Sequence, residues 1–94
     1  MEITEKQLQQ LFTQNWKVAN FKLQKNFTFK TYQELIQFTN KVFEIAQKQN
    51  HHPELLLKYN SVEVSINNHD ERNISSKCNN FALKVDLINF SLSI

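Results

Sequence analysis

Not one of the 94 residues in this chain is glycine. Glycine enters left-handed backbone conformations without a steric penalty, and many tight turns and helix ends depend on it. Here every reversal of the chain must be made by something else. Asparagine tolerates the left-handed region better than most residues that carry a side chain. Asn20, Asn60, Asn67, Asn68 and Asn73 all fall between segments with a regular apolar period. Those segments are read as the structural elements, with asparagine turning the chain between them.

The apolar period switches repeatedly along the chain. Thr4-Glu5-Lys6-Gln7 has the form of a capping box, and Leu8, Leu11 and Phe12 follow at helical spacing, which predicts a helix over 4–13. Trp16 and Val18 alternate with Lys17 as a brief strand, and Ala19-Asn20 makes a turn. Phe21, Leu23, Phe27 and Phe29 then alternate with polar residues, Lys25 alone breaking the apolar row, as expected of a half-buried strand. Thr31-Tyr32-Gln33-Glu34 opens a second helix over 32–48. Leu35, Phe38, Val42 and Ile45 form its stripe, and Ile36, Phe43 and Ala46 widen it. Pro53 disfavours helical geometry just ahead of it, so this helix is expected to stop before His51. Leu55, Leu57 and Tyr59 suggest a third strand, Asn60-Ser61 a turn, and Val62, Val64 and Ile66 a fourth strand. Ser75 caps a last helix with Cys78, Phe81, Ala82, Val85 and Ile88 on its inner side, and the tail from Phe90 to Ile94 is expected to be loosely held.

The order is therefore α-β-β-α-β-β-α. Strands joined by tight turns pair antiparallel, so the expected fold is α+β: one four-stranded antiparallel sheet with three helices packed on one face, in a single domain spanning residues 1–94. A chain this short buries a modest core, and open sheet edges invite pairing between copies. The formal charge is only +2, and the basic residues are spread along the chain, which argues against nucleic acid as a partner. No apolar run approaches a membrane span. Met1-Glu2-Ile3-Thr4-Glu5 carries acidic residues and no apolar core, so it does not read as a signal peptide. The single cysteine, Cys78, cannot form an internal disulfide, and a cytoplasmic setting is expected.

The chemistry concentrates in two short segments. Asn50-His51-His52-Pro53 follows the long helix, and Asn67-Asn68-His69-Asp70 follows the fourth strand; together they hold all three histidines. The outer ends of the intervening hairpin, near Pro53 and Asn67, must lie close for its strands to pair. That brings His51 or His52 within plausible reach of His69. Imidazole both gives and takes a proton near neutral pH. The helix C-terminus carries partial negative charge, which favours the protonated ring. Surface loop histidines without a role are the plain alternative. A metal site is disfavoured, because adjacent histidines point apart and no cysteine or carboxylate spacing completes a zinc pattern.

The spacing resembles that of the pterin-4a-carbinolamine dehydratase family. His51-His52-Pro53, Tyr59 after five intervening positions and His69 after nine more match the family's core pattern. Trp16, Phe27-Thr28-Phe29-Lys30, the Val62–Ile66 strand and the Ile74-Ser75 helix start also look family-like, so the resemblance spans roughly residues 4 to 88. It implies loss of water from a 4a-hydroxytetrahydropterin to give a quinonoid dihydropterin, in tetrahydropterin recycling, with no cofactor and no metal. It also implies that His51, His52 and His69 are catalytic: His51 and His69 as acid and base in an order left open, His52 mainly binding and orienting the pterin. Asn50, Pro53, Asn67, Asn68 and Asp70 would help to line the substrate pocket. A homodimer or homotetramer is expected. Two positions depart from the pattern: Gln47 stands where the family has an acidic residue, and Cys78 where it has aspartate. The rival expectation is a binding or assembly protein on the same fold, a transcriptional dimerisation cofactor, or a member of another pterin-linked pathway such as molybdopterin metabolism.

Overall fold

A computed structural model describes residues 2–67 and 74–92. The elements are α1 (Glu5–Thr13), β1 (Lys17–Ala19), β2 (Lys22–Thr28), α2 (Tyr32–Gln49), β3 (Glu54–Leu57), β4 (Ser61–Ile66) and α3 (Ser76–Leu92), in the order the sequence predicts. The strands form one antiparallel sheet in the spatial order β1-β2-β4-β3, with β1 and β3 at its edges. Among the described residues, no helix is long and apolar enough to cross a membrane.

Each helix starts on a hydroxyl. Thr4 and Gln7 bond reciprocally as a capping box, at 3.0 and 3.1 Å. The Thr31 hydroxyl accepts from the Glu34 amide, and the Ser75 hydroxyl from the Cys78 amide. The first two helices also end alike. Asn15 (φ 71°) follows α1 and Asn50 (φ 50°) follows α2, both left-handed. The next residue's amide then reaches back to a carbonyl five residues earlier: Trp16 to Leu11 at 3.0 Å, His51 to Ala46 at 3.1 Å. This is a Schellman ending with asparagine where glycine is usual. It stops α2 at Gln49, so the helix halts at Asn50 itself and does not wait for Pro53.

The β1–β2 turn solves the same shortage differently. Asn20 (φ 53°) and Phe21 (φ 63°) are both left-handed, the signature of a two-residue I′ hairpin turn. Phe21 therefore belongs to the turn and is exposed, where the alternation places it in the strand. Asn60 and Asn67 lie between elements as expected, but without positive φ; Asn68 and Asn73 lie outside the described residues. Tyr59 likewise falls at the β3–β4 turn, beyond the end of β3. The last helix runs on to Leu92, past Ile88, since no proline or glycine interrupts it; the rest of the expected tail, residues 93–94, lies outside the described residues.

Register puts Leu23 opposite Ile66 and Phe27 opposite Val62, and all four are buried. Leu35, Phe38 and Val42 of α2 and Cys78, Phe81, Ala82 and Val85 of α3 close over them in one core. Lys25, the break in the apolar row, lies on this same inner side. Its Nζ sits 2.7 Å from Asp86 Oδ1 of α3 and 4.8 Å from the Phe27 ring centroid. Trp16 is buried, and its indole N–H donates to Asp86 Oδ2 at 2.9 Å. A half-buried charge so paired is tolerated; alone it would not be. On the outer side, Lys22 of β2 pairs with Glu54 of β3 across the sheet.

Candidate active site

The ending of α2 delivers His51. Because Asn50 turns left-handed, His51 comes off the helix with its amide held by Ala46 and its ring directed inward. His51 is buried, whereas Asn50 and His52 are exposed and Pro53 is half-buried. The β3–β4 register then supplies the other half. Glu54 lies opposite Ser65, which carries the chain ahead of Glu54 alongside the chain beyond Ile66. His51 Nε2 is 3.0 Å from the backbone carbonyl oxygen of Asn67. The two segments thus meet at the hairpin's outer end, as the sequence predicts, through a main-chain oxygen of Asn67.

That contact fixes a proton. A carbonyl oxygen only accepts, so Nε2 must carry the hydrogen, and in the neutral ring Nδ1 is then the nitrogen able to take a proton. The ring lies 5.3 Å, centroid to centroid, from Phe81, tilted by 46°. On α3, Cys78 Sγ stands 3.9 Å from Nε2, and the Ser75 hydroxyl donates to that sulfur at 3.5 Å. The Phe81 ring and the Cys78 thiol, with the Ser75 hydroxyl behind the thiol, thus line the imidazole in a buried setting, where electrostatic interactions are stronger than in water.

Asn68, His69 and Asp70 lie outside the described residues. The fold therefore joins His51 to Asn67, with Asn50, His52 and Pro53 beside them in the chain. Sequence reasoning treats Cys78 as a small buried core residue. It is fully buried, but it also faces His51. The signal for that second fact is present in the pattern, since Cys78 occupies a position where the resembled family carries a polar acidic group. Ser75 and Phe81, read as a cap and a core residue, also turn out to border the site. Gln47 is exposed, and its carbonyl accepts from the Asn50 amide at 3.4 Å.

Comparison with known proteins places this geometry in context. A family model described as pterin 4 alpha carbinolamine dehydratase matches residues 1–88. A protein of Sulfolobus acidocaldarius, provisionally named a pterin-4-alpha-carbinolamine dehydratase, is 35% identical over 80% of this chain and 82% of its own length. One of Sulfurisphaera tokodaii with the same provisional name is 32% identical over 90% of this chain and 94% of its own. Among solved structures, a transcriptional coactivator/pterin dehydratase from Brucella melitensis superposes with a TM-score of 0.83 at 24% identity, covering 95% of this chain and 99% of that one. A pterin dehydratase-like protein identified as a RuBisCO assembly factor in the alpha-carboxysome gives 0.68 at 17% identity, covering 79% and 86%. These two likenesses are of fold.

Proposed function

The chain belongs to the pterin-4-alpha-carbinolamine dehydratase family, and from that premise we propose that it removes water from a 4a-hydroxytetrahydropterin in the recycling of tetrahydropterin. The observation that supports this reading most is the buried His51, held by both converging segments with its hydrogen on Nε2.

The reaction needs two proton transfers. The C4a–O bond breaks with its electron pair on oxygen, which must be protonated to depart as water. The adjacent ring nitrogen loses its proton, and that electron pair becomes the new C=N bond of the quinonoid product. Two imidazoles of opposite protonation serve both steps, and each positioned transfer contributes ~10²–10⁴-fold. In this reading His51 is one of the pair and His69 the other, while His52 orients the pterin. Asn50, Pro53, Asn67, Asn68 and Asp70 complete the pocket, where the flat polar ring meets backbone donors and acceptors along its edge. The reaction calls for no metal or bound cofactor, and its setting is the cytoplasm.

The same reading includes a homodimer or homotetramer. Tyr32, Ile36 and Phe43 on α2 and Leu56 and Leu57 on the edge strand β3 are apolar and exposed, the kind of surface that association covers. That surface also favours a second reading: a binding or assembly role on the same fold, with catalysis weakened by Gln47 and Cys78. The names of the two solved relatives, a coactivator and an assembly factor, belong to those proteins and supply only the precedent.

The deciding experiment follows the dehydration of freshly generated 4a-hydroxytetrahydropterin by ultraviolet absorbance, with wild type and His51→Ala. Acceleration by the wild type that collapses in the variant supports the enzyme. A rate equal to buffer with both proteins overturns it in favour of the binding role. Light scattering that gives a strict 11.2 kDa monomer at micromolar concentration removes the oligomer.

A further inference from the structure

Cys78 is a fully buried residue with an unusual neighbourhood for a core filler. It sits in the first turn of α3, and its sulfur is within reach of two polar hydrogens. One is the Ser75 hydroxyl, 3.5 Å away. The other is the hydrogen on His51 Nε2, 3.9 Å away. The direction of the second contact follows from Asn67. Its carbonyl lies 3.0 Å from Nε2 and can only accept, so the hydrogen resides on that nitrogen. The sulfur is then a second, weaker acceptor for a hydrogen whose main partner is the carbonyl. In the opposite tautomer, Nε2 would aim a lone pair at the carbonyl oxygen with the electron-rich sulfur beside it. The carbonyl therefore selects the tautomer, and the sulfur, on a different element of the fold, adds a second acceptor for the same hydrogen.

We propose that Cys78 is a positioning residue for His51: through its sulfur the first turn of α3 helps hold the imidazole as the Nε2–H tautomer, in the orientation fixed by Asn67 and Phe81. The sulfur contact itself stands independently of the reaction, whereas its effect on turnover rests on the dehydratase reading. Ser75 belongs to the same device. Its hydroxyl accepts from the Cys78 amide at 3.4 Å and donates to the Cys78 sulfur, so the cap of α3 also orients the thiol. A small apolar filler would need none of this.

Three variants separate positioning from filling. Cys78→Val removes the acceptor but adds a methyl group at a fully buried position; Cys78→Ala removes the acceptor without added bulk or a branched side chain in the first helical turn. Cys78→Ser is smaller but retains an acceptor. The readout is long-range nitrogen–proton NMR of the His51 imidazole in the full chain without pterin, with circular dichroism confirming the fold. In wild type, Nε2 is expected as the protonated nitrogen at neutral pH. In Val and Ala the Nε2–H resonance moves and its solvent exchange quickens severalfold, whereas Ser stays nearer to wild type. In turnover, Val and Ala lose about threefold to tenfold in kcat, the scale of one modest hydrogen bond, with KM nearly unchanged. A wild-type His51 protonated on Nδ1 overturns the proposal outright, whatever the variants do. So do Val and Ala spectra that coincide with wild type, because Cys78 is then filler alone. If wild type fails to accelerate dehydration, the enzyme reading falls while the NMR outcome still decides the contact.

Discussion

The ends of α1 and α2 are built alike, and they serve different ends. Each closes on a left-handed asparagine, and each then places an aromatic ring bearing an N–H against α3. After α1 the ring is Trp16, whose N–H meets the carboxylate of Asp86, itself paired with Lys25. After α2 the ring is His51, whose N–H meets a neutral carbonyl with a sulfur beside it. Indole only donates, and its partner is charged and satisfied, so that end is an anchor. Imidazole carries a second ring nitrogen and can both give and take a proton near neutral pH, so that end can do chemistry. One backbone device thus serves both stability and proton transfer, and the side chain that follows the asparagine decides which.

Substitutions at the two ends should pull this comparison apart. The largest effect is expected at the histidine end: His51→Ala should cut kcat/KM for dehydration by ~10²–10⁴-fold, as measured by stopped-flow absorbance, because a positioned proton carrier is lost. At the tryptophan end the loss should fall on stability. Asp86→Asn leaves the half-buried Lys25 without its counter-charge and should cost about 3 kcal/mol in urea unfolding, with turnover at saturating substrate little changed. If instead Asp86→Asn abolishes turnover while leaving stability intact, the division between anchor and site is wrong.

Substitution of the asparagines tests the shared device. Asn15→Ala and Asn50→Ala should each cost about 1 kcal/mol, the penalty of forcing a side chain other than asparagine's into left-handed geometry, read by thermal unfolding. Only Asn50→Ala should also depress kcat, since only it displaces a reacting ring. Phe21→Gly, in a turn away from both ends, should raise stability by about 0.5 kcal/mol: relief of the left-handed backbone outweighs the added chain entropy. The smallest change is expected for Lys22→Ala, which breaks a solvent-facing ion pair and should stay within about 0.5 kcal/mol.

Much of this was open to reading from the chain. Period and caps identify all seven elements in order, because Thr4, Thr31 and Ser75 mark helix starts and the strands keep a period of two. What escapes is whatever the apolar pattern does not encode. Phe21 continues the strand's alternation, yet a two-residue turn without glycine claims it. Lys25 looks like an error in the row until Asp86, 61 residues later, supplies its partner. At the site, the hairpin argument brings the two rims together, but through the main-chain oxygen of Asn67, and a backbone contact leaves no trace in side-chain type. The closeness of Cys78 to His51 arises only when α3 packs across the end of α2.

The way His51 meets Asn67 also governs how the length of this chain can vary. The helix sets the ring's azimuth at about 100° per residue, and the hairpin sets the carbonyl's direction with a period of two. One residue inserted within α2 would swing the imidazole away, and one deleted from β4 would turn the Asn67 carbonyl to the opposite side. The Tyr59-Asn60 tip is pinned as well: the Lys58 amide donates to the Ser61 carbonyl and the Phe29 amide to the Asn60 carbonyl, both at 2.8 Å, so a change of length there would disturb the β2–β4 edge. Drift in length among relatives that keep this site should therefore collect outside the stretch from Ala46 to Asn67, in keeping with the fixed spacing from His51 through Tyr59 onward.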